Sequence, residues 1–392
     1  MAEEAQSAGS VTEDRRPEIL VLSFRFCRGI EATGPNQSLL NMARALPEYR
    51  FRFIGTAVEG DRPGIWGRME GLELLPLAPS WLGRRGLRSA IRNSKPRLIL
   101  LNSFFDPRLS LPVLMMRRFR LIPRIPLLLA PRGEFFPPAL AIKPARKRFH
   151  IEMVRRLGLL KKVSIQATSE EEAARIREVL PFADRILLGP NVRALSEPPP
   201  PHLPRAPGEA LRIAFVGRIA PIKNLDFAIR TIARSKIAAV FDIYGPAVDP
   251  VYLAHCRAVA EEVATAQLTI NWRGEIPNRE VVDALAAHDL LFQPSASENY
   301  GHAIVEALLA GTPVLISDGT PWRGLEAAGV GWDLPLSDPE AFARALRETA
   351  GLSSEAALTK RDRTRSWTEQ RLDLPNSLAL LRDCLEQAMR DR

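Results

Sequence analysis

Two glutamates beside a short apolar helix form the part of this sequence best suited to chemistry. Residues 303–310 predict a helix that is apolar on every side except at Glu306, and such a helix is usually buried between layers. An ionised carboxylate in that position is costly unless it is hydrogen-bonded, so we expect Glu306 to face a polar ligand in a cleft. The alternative is a helix glutamate that is tolerated without a ligand.

Glu298 precedes Glu306 in a Glu-x7-Glu spacing and lies in a Ser/Asn/Gly-rich loop before the same helix. We expect the free backbone N–H groups at the helix start, together with the helix dipole, to bind an anion. These groups belong to Tyr300, Gly301 and His302. Two carboxylates for hydroxyl groups and a helix N-terminus for phosphate are together what a sugar nucleotide requires. The alternative for Glu298 is an ordinary exposed loop residue.

A second set of candidate residues follows the apolar strand predicted at 211–216. Gly217 ends this strand, and a glycine there lets a ligand approach the backbone closely. Arg218 offers a planar fork for a diphosphate, and Lys223 at the start of the next helix adds a point charge. Taken alone, these residues could equally be two surface cations beside a strand.

The two sets resemble the signature motifs of the retaining family-4, or group 1, glycosyltransferases of GT-B fold. The resemblance rests on the paired glutamates with Gly301 and on the Ala-Gly-Thr-Pro-Val run at 310–314. It also rests on the G-R-x4-K-N pattern that begins at Gly217.

The resemblance implies an enzyme that transfers a sugar from a nucleotide-diphosphate sugar with retention of configuration. It assigns ribose hydroxyls to Glu306 and sugar hydroxyls to Glu298. It assigns the donor diphosphate and the leaving nucleotide to Arg218 and Lys223. We therefore take Arg218, Lys223 and Glu298 as candidate catalytic residues. The same resemblance implies front-face attack, in which the leaving phosphate helps to deprotonate the acceptor.

The resemblance also adds donor-site positions. Gly274 and Glu275 lie in a turn placed like the family loop whose backbone reads the nucleobase, although an ordinary βα turn would look the same. The family has a glycine-rich loop after its first strand, whereas here Gly29 and Gly34 are five residues apart. We choose Gly34, at the head of a helix, as the glycine nearest the donor phosphates. A plain flexible turn is the alternative.

The acceptor side should come from the first half of the chain. Arg132 and Glu134 follow the strand predicted at 126–130, near the point where many members of the resembled family carry a histidine. This departure means that no catalytic histidine is carried over. We expect Arg132 to bind an acceptor anion and Glu134 to accept an acceptor hydroxyl, with a solvent-exposed charge pair as the equal alternative.

Strand and helix patterns alternate along the chain, which predicts parallel βα units covered on both faces. Residues 1–16 are expected to be disordered, and residues 17–195 to form a Rossmann-like acceptor domain. Residues 196–208 contain six prolines and predict a stiff extended linker. Residues 209–371 form a second Rossmann-like domain for the donor, and the ligands should bind in the cleft between the two. By resemblance, a helix at about 372–392 crosses back to the first domain.

The composition, 46% hydrophobic and 25% charged, is that of an ordinary globular protein. Three widely spaced cysteines, Cys27, Cys256 and Cys384, argue against a disulfide framework and fit a reducing cytoplasm. The polar N-terminus is unlike a signal peptide, and no apolar run approaches the ~18–20 residues that cross a membrane. We therefore predict a cytoplasmic protein.

The net charge of +9 suggests an anionic partner, which could be phosphate, nucleic acid or a membrane surface. We expect no nucleic-acid partner because the sequence lacks the interleaved aromatic and basic residues of RNA- or single-strand-binding proteins. Asp249 stands alone, without an Asp-x-Asp metal motif, and no cysteine–histidine cluster has zinc spacing. We therefore expect no cofactor or metal, and a UDP- or GDP-sugar as the donor.

Residues 143–162 hold eight Lys/Arg and one acidic residue, Glu152. Read as one helix, the segment places an apolar face opposite most of its arginines, and a basic amphipathic helix can lie on an anionic membrane. The apolar face consists of Phe149, Met153, Leu157 and Leu160. We predict that Phe149 and Leu157 dock inward while the arginines reach lipid headgroups. The enzyme would then glycosylate a lipid-linked precursor of a surface polysaccharide or lipopolysaccharide at the inner membrane face; the alternative is a packed helix with merely solvated charges.

Two other functions remain open at this stage. A sugar-nucleotide epimerase of the same fold would need acid and base side chains at the sugar, and none is evident beyond the donor glutamates. A non-catalytic module that binds nucleotides or nucleic acid is suggested only by the charge. The four residues Glu298, Glu306, Arg218 and Lys223 favour the glycosyltransferase.

Overall fold

A computed structural model describes residues 16–24, 26, 34–57, 64–69, 72–77, 81–193, 198–206 and 208–390. Within these ranges the chain forms two twisted sheets, each with helices packed against it. Nearly all of the segment predicted to be disordered and the glycine-rich loop at 29–33 lie outside the described residues.

The first sheet has eight strands in the order β3-β4-β2-β1-β5-β6-β7-β8. Its strands are β1 (Glu18–Leu22), β2 (Arg50–Thr56), β3 (Gly67–Met69), β4 (Leu72–Leu77), β5 (Leu98–Asn102), β6 (Leu127–Ala130), β7 (Ser164–Ala167) and β8 (Arg185–Leu188). All described pairings are parallel except that of β3 with β4. The central strands are buried on both faces, as their continuous apolar runs predict.

Helices cover both faces of this sheet. They are α1 (Gly34–Ala45), α2 (Trp81–Ser94), α3 (Ser110–Arg118), α4 (Pro137–Ala141), α5 (Pro144–Arg156) and α6 (Glu170–Val179). The start of α6 is well specified, because the Ser169 side chain accepts a hydrogen bond from Glu172 N–H and three glutamates occupy the positive end of the helix dipole.

The second sheet has six parallel strands in the order β11-β10-β9-β12-β13-β14. They are β9 (Leu211–Val216), β10 (Ala239–Tyr244), β11 (Leu268–Gly274), β12 (Leu290–Gln293), β13 (Val314–Ser317) and β14 (Gly331–Leu334). The order reverses between β9 and β12, and in open α/β sheets this switch point leaves a crevice at the carboxyl ends of the strands. The sequence pattern does not indicate β3 or β14, because such short strands carry little periodicity.

A short 3₁₀ helix, Pro221–Lys223, follows β9. The α-helices of this half are α7 (Leu225–Ser235), α8 (Pro250–Glu262), α9 (Asn278–Ala286), α10 (His302–Leu309), α11 (Leu325–Ala328), α12 (Pro339–Ala350), α13 (Ser354–Leu372) and α14 (Leu374–Arg390). The helical pattern near the C-terminus is divided at Asp373, whose φ of 38° breaks the chain into α13 and α14. Helix α14 crosses back to the first domain, where Leu381 and Leu385 are buried in the core beneath β6 and β8.

The described part of the proline-rich linker, 198–206 with 208, is irregular, as its prolines predict. It does not hang free, because the buried carboxylate of Asp289 holds it against the second domain. Arg205 Nε lies 3.0 Å and His202 Nε2 3.3 Å from Asp289 oxygens, and Arg212 adds a third contact at 2.8 Å.

The basic segment at 143–162 differs from the single amphipathic helix predicted for it. Helix α4 ends before Lys143, and α5 begins at Pro144, so the rotation of α5 is set by its new start. The side chains that face inward are His150 and Val154, whereas Phe149 is 72% exposed. The inward docking predicted for Phe149 and Leu157 is therefore wrong. No helix among the described residues is both long and apolar enough to cross a membrane.

Candidate active site in the cleft between the domains

The carboxyl ends of both sheets and the N-termini of α1 and α10 face a common cavity of about 230 Å³. The first domain contributes Gly34, Pro35, Gln37, Ser38, Arg132 and Asn191 to its lining. The second domain contributes most of the predicted donor site, namely Gly217, Arg218, Lys223, Glu275, Asn278, Glu298, Tyr300, Gly301, His302 and Glu306. Of the predicted site residues, Gly274 and Glu134 do not line this cavity.

Helix α10 is oriented by its own sequence. Gly301 stands at its N-cap with φ of 77°, a conformation that glycine adopts without strain. Beyond the first turn Ile304, Val305 and Leu308 are fully buried, so the helix is enclosed between layers, as its apolar composition predicts. Its free N–H groups therefore point into the cavity, where they favour an anion.

Glu306 is 3% exposed on this apolar helix. Its Oε1 lies 3.1 Å from Arg193 Nη2 and accepts a 3.3 Å hydrogen bond from Asn278 Nδ2. Burial raises the pKa of Glu306, and the positive charge of Arg193 opposes that rise. The cost of the buried carboxylate is thus offset by one cation and one amide. Arg193 belongs to the first domain, so this ion pair joins the two domains.

Glu298 and Lys223 form a close ion pair inside the cleft. Ser295 Oγ donates a 2.9 Å hydrogen bond to the same Glu298 oxygen, and Glu298 N–H donates to Gly319 O at 3.1 Å. The two side chains are 14% and 16% exposed, respectively. The tertiary structure therefore brings together two candidate catalytic residues that are far apart in the sequence.

His302 begins α10, and its ring is buried against the first domain. Nε2 lies 3.0 Å from Ser38 Oγ on α1, and a Cβ built on Gly34 would lie 3.5 Å from the ring. Burial and the charges of Arg193 and Arg132 lower the pKa of His302 to about 3. The ring is therefore neutral near pH 7, which suits a hydrogen-bonding role rather than that of an acid.

Arg132 is a buried cation on the first-domain side of the cavity. Its backbone is left-handed, with φ of 53°, which is rare for a residue with a side chain. Nε donates to Asn102 Oδ1 at 3.1 Å and Nη1 to Asn191 Oδ1 at 2.8 Å, while Nη2 has no partner among the described residues. Burial lowers the pKa of Arg132 to about 10, so it remains charged near neutral pH and suits an anion.

The role predicted for Glu134 is not supported by its position. Its carboxylate accepts hydrogen bonds from Ser103 Oγ at 2.6 Å and from the N–H of Phe104 at 2.6 Å and Phe105 at 3.3 Å. These contacts hold the loop after β5 and use both oxygens, so Glu134 has a structural role. Gly274 also acts through its backbone, because its carbonyl accepts a 2.7 Å hydrogen bond from Gly245 N–H.

Comparison with solved structures decides the fold. HepE of Anabaena, solved with UDP and glucose, aligns with a TM-score of 0.72 and 15% identity over 95% of this chain and 100% of that one. Sucrose-phosphate synthase of Thermosynechococcus elongatus aligns with a TM-score of 0.71 and 17% identity over 95% and 99%. The chain has the GT-B fold.

Residues 204–363 of this GT-B chain match the family model described as "Glycosyl transferases group 1". D-inositol 3-phosphate glycosyltransferase of Nocardia farcinica is 34% identical over 152 residues, 37% of this chain and 32% of that protein. 2-Deoxystreptamine glucosyltransferase of Streptomyces kanamyceticus is 37% identical over 105 residues, 26% of each. The chain thus spans about a third or less of the length of these curated relatives.

Sequence reasoning missed four residues of the GT-B cleft: Ser38, Asn191, Arg193 and Asn278. Asn191 and Arg193 follow the end of β8, and residues just beyond the carboxyl ends of parallel strands are where ligands bind in such folds. That rule, applied to every predicted strand, would have found them. Nothing in the local sequence marks Ser38 or Asn278, since each contributes through a partner on another element.

Proposed function

We propose that this protein is a retaining glycosyltransferase that transfers a sugar from a UDP- or GDP-sugar to an acceptor. The observation that carries the proposal is the single cavity that collects Glu306, Glu298, Lys223 and Arg218 around the N-terminus of α10. The match of the second domain to the group 1 glycosyl transferases supports it.

Each group in the cavity has a proposed task. Glu306 binds ribose hydroxyls and Glu298 binds hydroxyls of the transferred sugar. Arg218, Lys223 and the N-terminus of α10 hold the diphosphate and stabilise the charge that develops on the departing nucleotide. The leaving phosphate takes the acceptor proton in front-face attack, so the protein acts by positioning and by charge. With two cations and a helix N-terminus at the diphosphate, we propose that transfer needs no metal.

Thermal-shift measurements with a panel of nucleoside diphosphates and their sugars test the donor site. One base should stabilise the protein, by about 2.7 kcal/mol at a hundred times its dissociation constant. Glu306→Gln should weaken that binding, whereas the control Glu326→Gln, on exposed α11, should not. A panel that shifts nothing, or a Glu306→Gln variant that binds normally, would contradict the proposed donor site.

Turnover of the donor tests the diphosphate role. Lys223→Ala and Arg218→Ala should each reduce turnover by about ten- to a hundredfold, because charge-assisted contacts contribute ~1.5–3 kcal/mol. Product analysis separates the other functions: an epimerase would convert the donor without an acceptor, and a binding module would leave it intact. Unchanged turnover in both variants would rule out the diphosphate role.

For the acceptor, we propose a lipid-linked glycan precursor at an anionic membrane. The supporting feature is a basic apolar surface on α5 and the end of α3, which are joined by a 3.0 Å hydrogen bond from Arg118 Nε to Leu157 O. Its exposed apolar side chains are Phe119 (53%), Leu121 (45%), Ile142 (58%), Phe149 (72%) and Leu157 (37%). Its exposed arginines include Arg118, Arg120, Arg146 and Arg148. Apolar residues among cations suit the interface of an anionic bilayer.

Sedimentation with phosphatidylglycerol and phosphatidylcholine vesicles, at low and high salt, tests this surface. We expect salt-sensitive binding to the anionic vesicles alone. Phe149→Ser should weaken it about tenfold, because burying a phenylalanine contributes about 1.5–3 kcal/mol. Val251→Ser, which removes an 81% exposed apolar residue from α8, is the matched control. Equal binding to both vesicle types, or none, would favour a soluble acceptor.

A further inference from the structure

We infer that Arg193 is a positioning residue that completes the nucleotide site from the opposite domain by holding Glu306 in its ligand-binding state. This inference rests on the proposed role of Glu306 in binding the donor ribose. It concerns a residue that belongs to the first domain and follows β8, whereas Glu306 lies on α10 of the second.

The Arg193 guanidinium bridges the two domains. Nη1 donates a 3.1 Å hydrogen bond to Asn41 Oδ1 on α1, and Nη2 lies 3.1 Å from Glu306 Oε1. The side chain of Arg193 is 9% exposed and that of Glu306 is 4% exposed. Because both partners are largely out of water, neither can be removed without leaving the other as an uncompensated buried charge.

The two oxygens of Glu306 have different surroundings. Oε1 receives both Arg193 and the amide of Asn278, whereas Oε2 has no hydrogen-bond partner among the described residues. Glu306 lines the cavity, but Arg193 does not. Arg193 therefore holds one oxygen from behind and leaves the other oxygen for a ligand hydroxyl.

Arg193 also sets the charge that a hydroxyl donor meets. Burial favours the protonated form of Glu306, and the guanidinium and the amide favour the carboxylate. Tyr300, in the loop before α10, is the other titratable group whose charge acts on Glu306, and burial keeps that phenol neutral by raising its pKa. Without Arg193, protonation of Glu306 would begin at a higher pH, and its ability to accept from the ribose would be lost there.

The test compares Arg193→Met and Arg193→Lys with the wild-type full-length chain. The probe is whichever of UDP and GDP binds the wild type, titrated calorimetrically between pH 5.5 and 8.5. Arg193→Met should bind about tenfold more weakly at pH 7, and the deficit should grow as the pH falls. Arg193→Lys, which keeps the charge, should recover most of the affinity. Arg382→Met, which breaks the exposed pair with Glu48, is the control and should bind as the wild type.

A double-mutant cycle separates positioning from a merely structural bridge. In a Glu306→Gln background Arg193→Met should weaken nucleotide binding little further, because no carboxylate remains to be held. A structural bridge would instead lower the thermal midpoint and leave the pH dependence of binding unchanged. If the wild type binds nucleotide and Arg193→Met shows the same affinity and pH profile, the inference is overturned. A wild type that binds neither UDP nor GDP would instead refute the proposed function itself.

Discussion

At the scale of single residues, the cleft is governed by which charges already have partners. Lys223 is paired with Glu298, and Ser295 adds a hydrogen bond to the same carboxylate. A donor diphosphate that approaches Lys223 must therefore share it with Glu298, whose charge repels the phosphates. Glu298 thus opposes nucleotide binding while serving the proposed sugar subsite.

Glu298→Gln should separate these two effects. Removal of the negative charge should leave nucleoside diphosphate affinity equal to or tighter than that of the wild type, because Lys223 is released. Turnover of the nucleotide sugar should fall by about tenfold or more if the carboxylate is needed at the sugar. Calorimetry and a product assay measure the two quantities, with Glu275→Gln as a control at the cavity rim. Loss of nucleoside diphosphate binding in Glu298→Gln would show that Glu298 contacts the nucleotide itself.

At the scale of elements, the donor site depends on how closely the ends of β9 and β10 approach. A Cβ on Gly245, whose φ is 139°, would lie 2.0 Å from the carbonyl oxygen of Gly217. A Cβ on Gly217 would meet its nearest protein atom, Gln293 Nε2, at an ordinary 3.5 Å. Gly245 is therefore required by the fold itself, whereas the protein leaves room for a side chain at Gly217.

The two glycines should respond differently to alanine. Gly217→Ala should fold normally, with a thermal midpoint near that of the wild type, yet bind nucleoside diphosphate more weakly, since the methyl group would occupy space next to the ligand. Gly245→Ala should lower the thermal midpoint, because the strand ends must separate. Thermal unfolding and calorimetry distinguish the two. Normal binding by Gly217→Ala would mean that no ligand approaches this strand end closely.

At the scale of the whole molecule, the domains are joined in three ways. Helix α14 packs its buried leucines into the first domain, Arg193 pairs with Glu306, and Ser38 contacts His302 across the cleft. The linker is itself docked by Asp289. Contacts to His202 and Arg212 hold the pKa of Asp289 at about 2, below its ordinary 3.8, in spite of its burial.

Asp289→Asn should release the linker and lower the free energy of unfolding at pH 7 by about 2 kcal/mol. A carboxylate with a depressed pKa contributes stability that is complete above its ordinary pKa and is lost as the pH falls toward the folded value. The difference between variant and wild type should therefore be constant above pH 5 and shrink below pH 4. Urea unfolding at several pH values measures it, with Glu340→Gln, from an exposed ion pair, as the control. A difference that does not change with pH would contradict the charge-based account.

The GT-B fold could be predicted from the sequence, and the structural comparisons confirm it. The reason is that its signals are local: buried parallel strands are continuous apolar runs, helix starts carry caps or glycines, and prolines mark the linker. Motif spacing likewise located Glu298, Glu306, Arg218 and Lys223, because each follows the end of a strand or the start of a helix. These positions are properties of one segment at a time.

Only the tertiary structure decided which charges meet. Arg193 and Glu306 are far apart in the chain, and their pairing depends on how the two domains face each other. Burial likewise separated Arg132, which lines the cavity, from Glu134, which holds a loop, although the two are neighbours in the same turn. On α5 the rotation set by the break at Lys143 left Phe149 exposed. Long-range contacts and helix rotation depend on packing between elements, and a sequence pattern does not encode them locally.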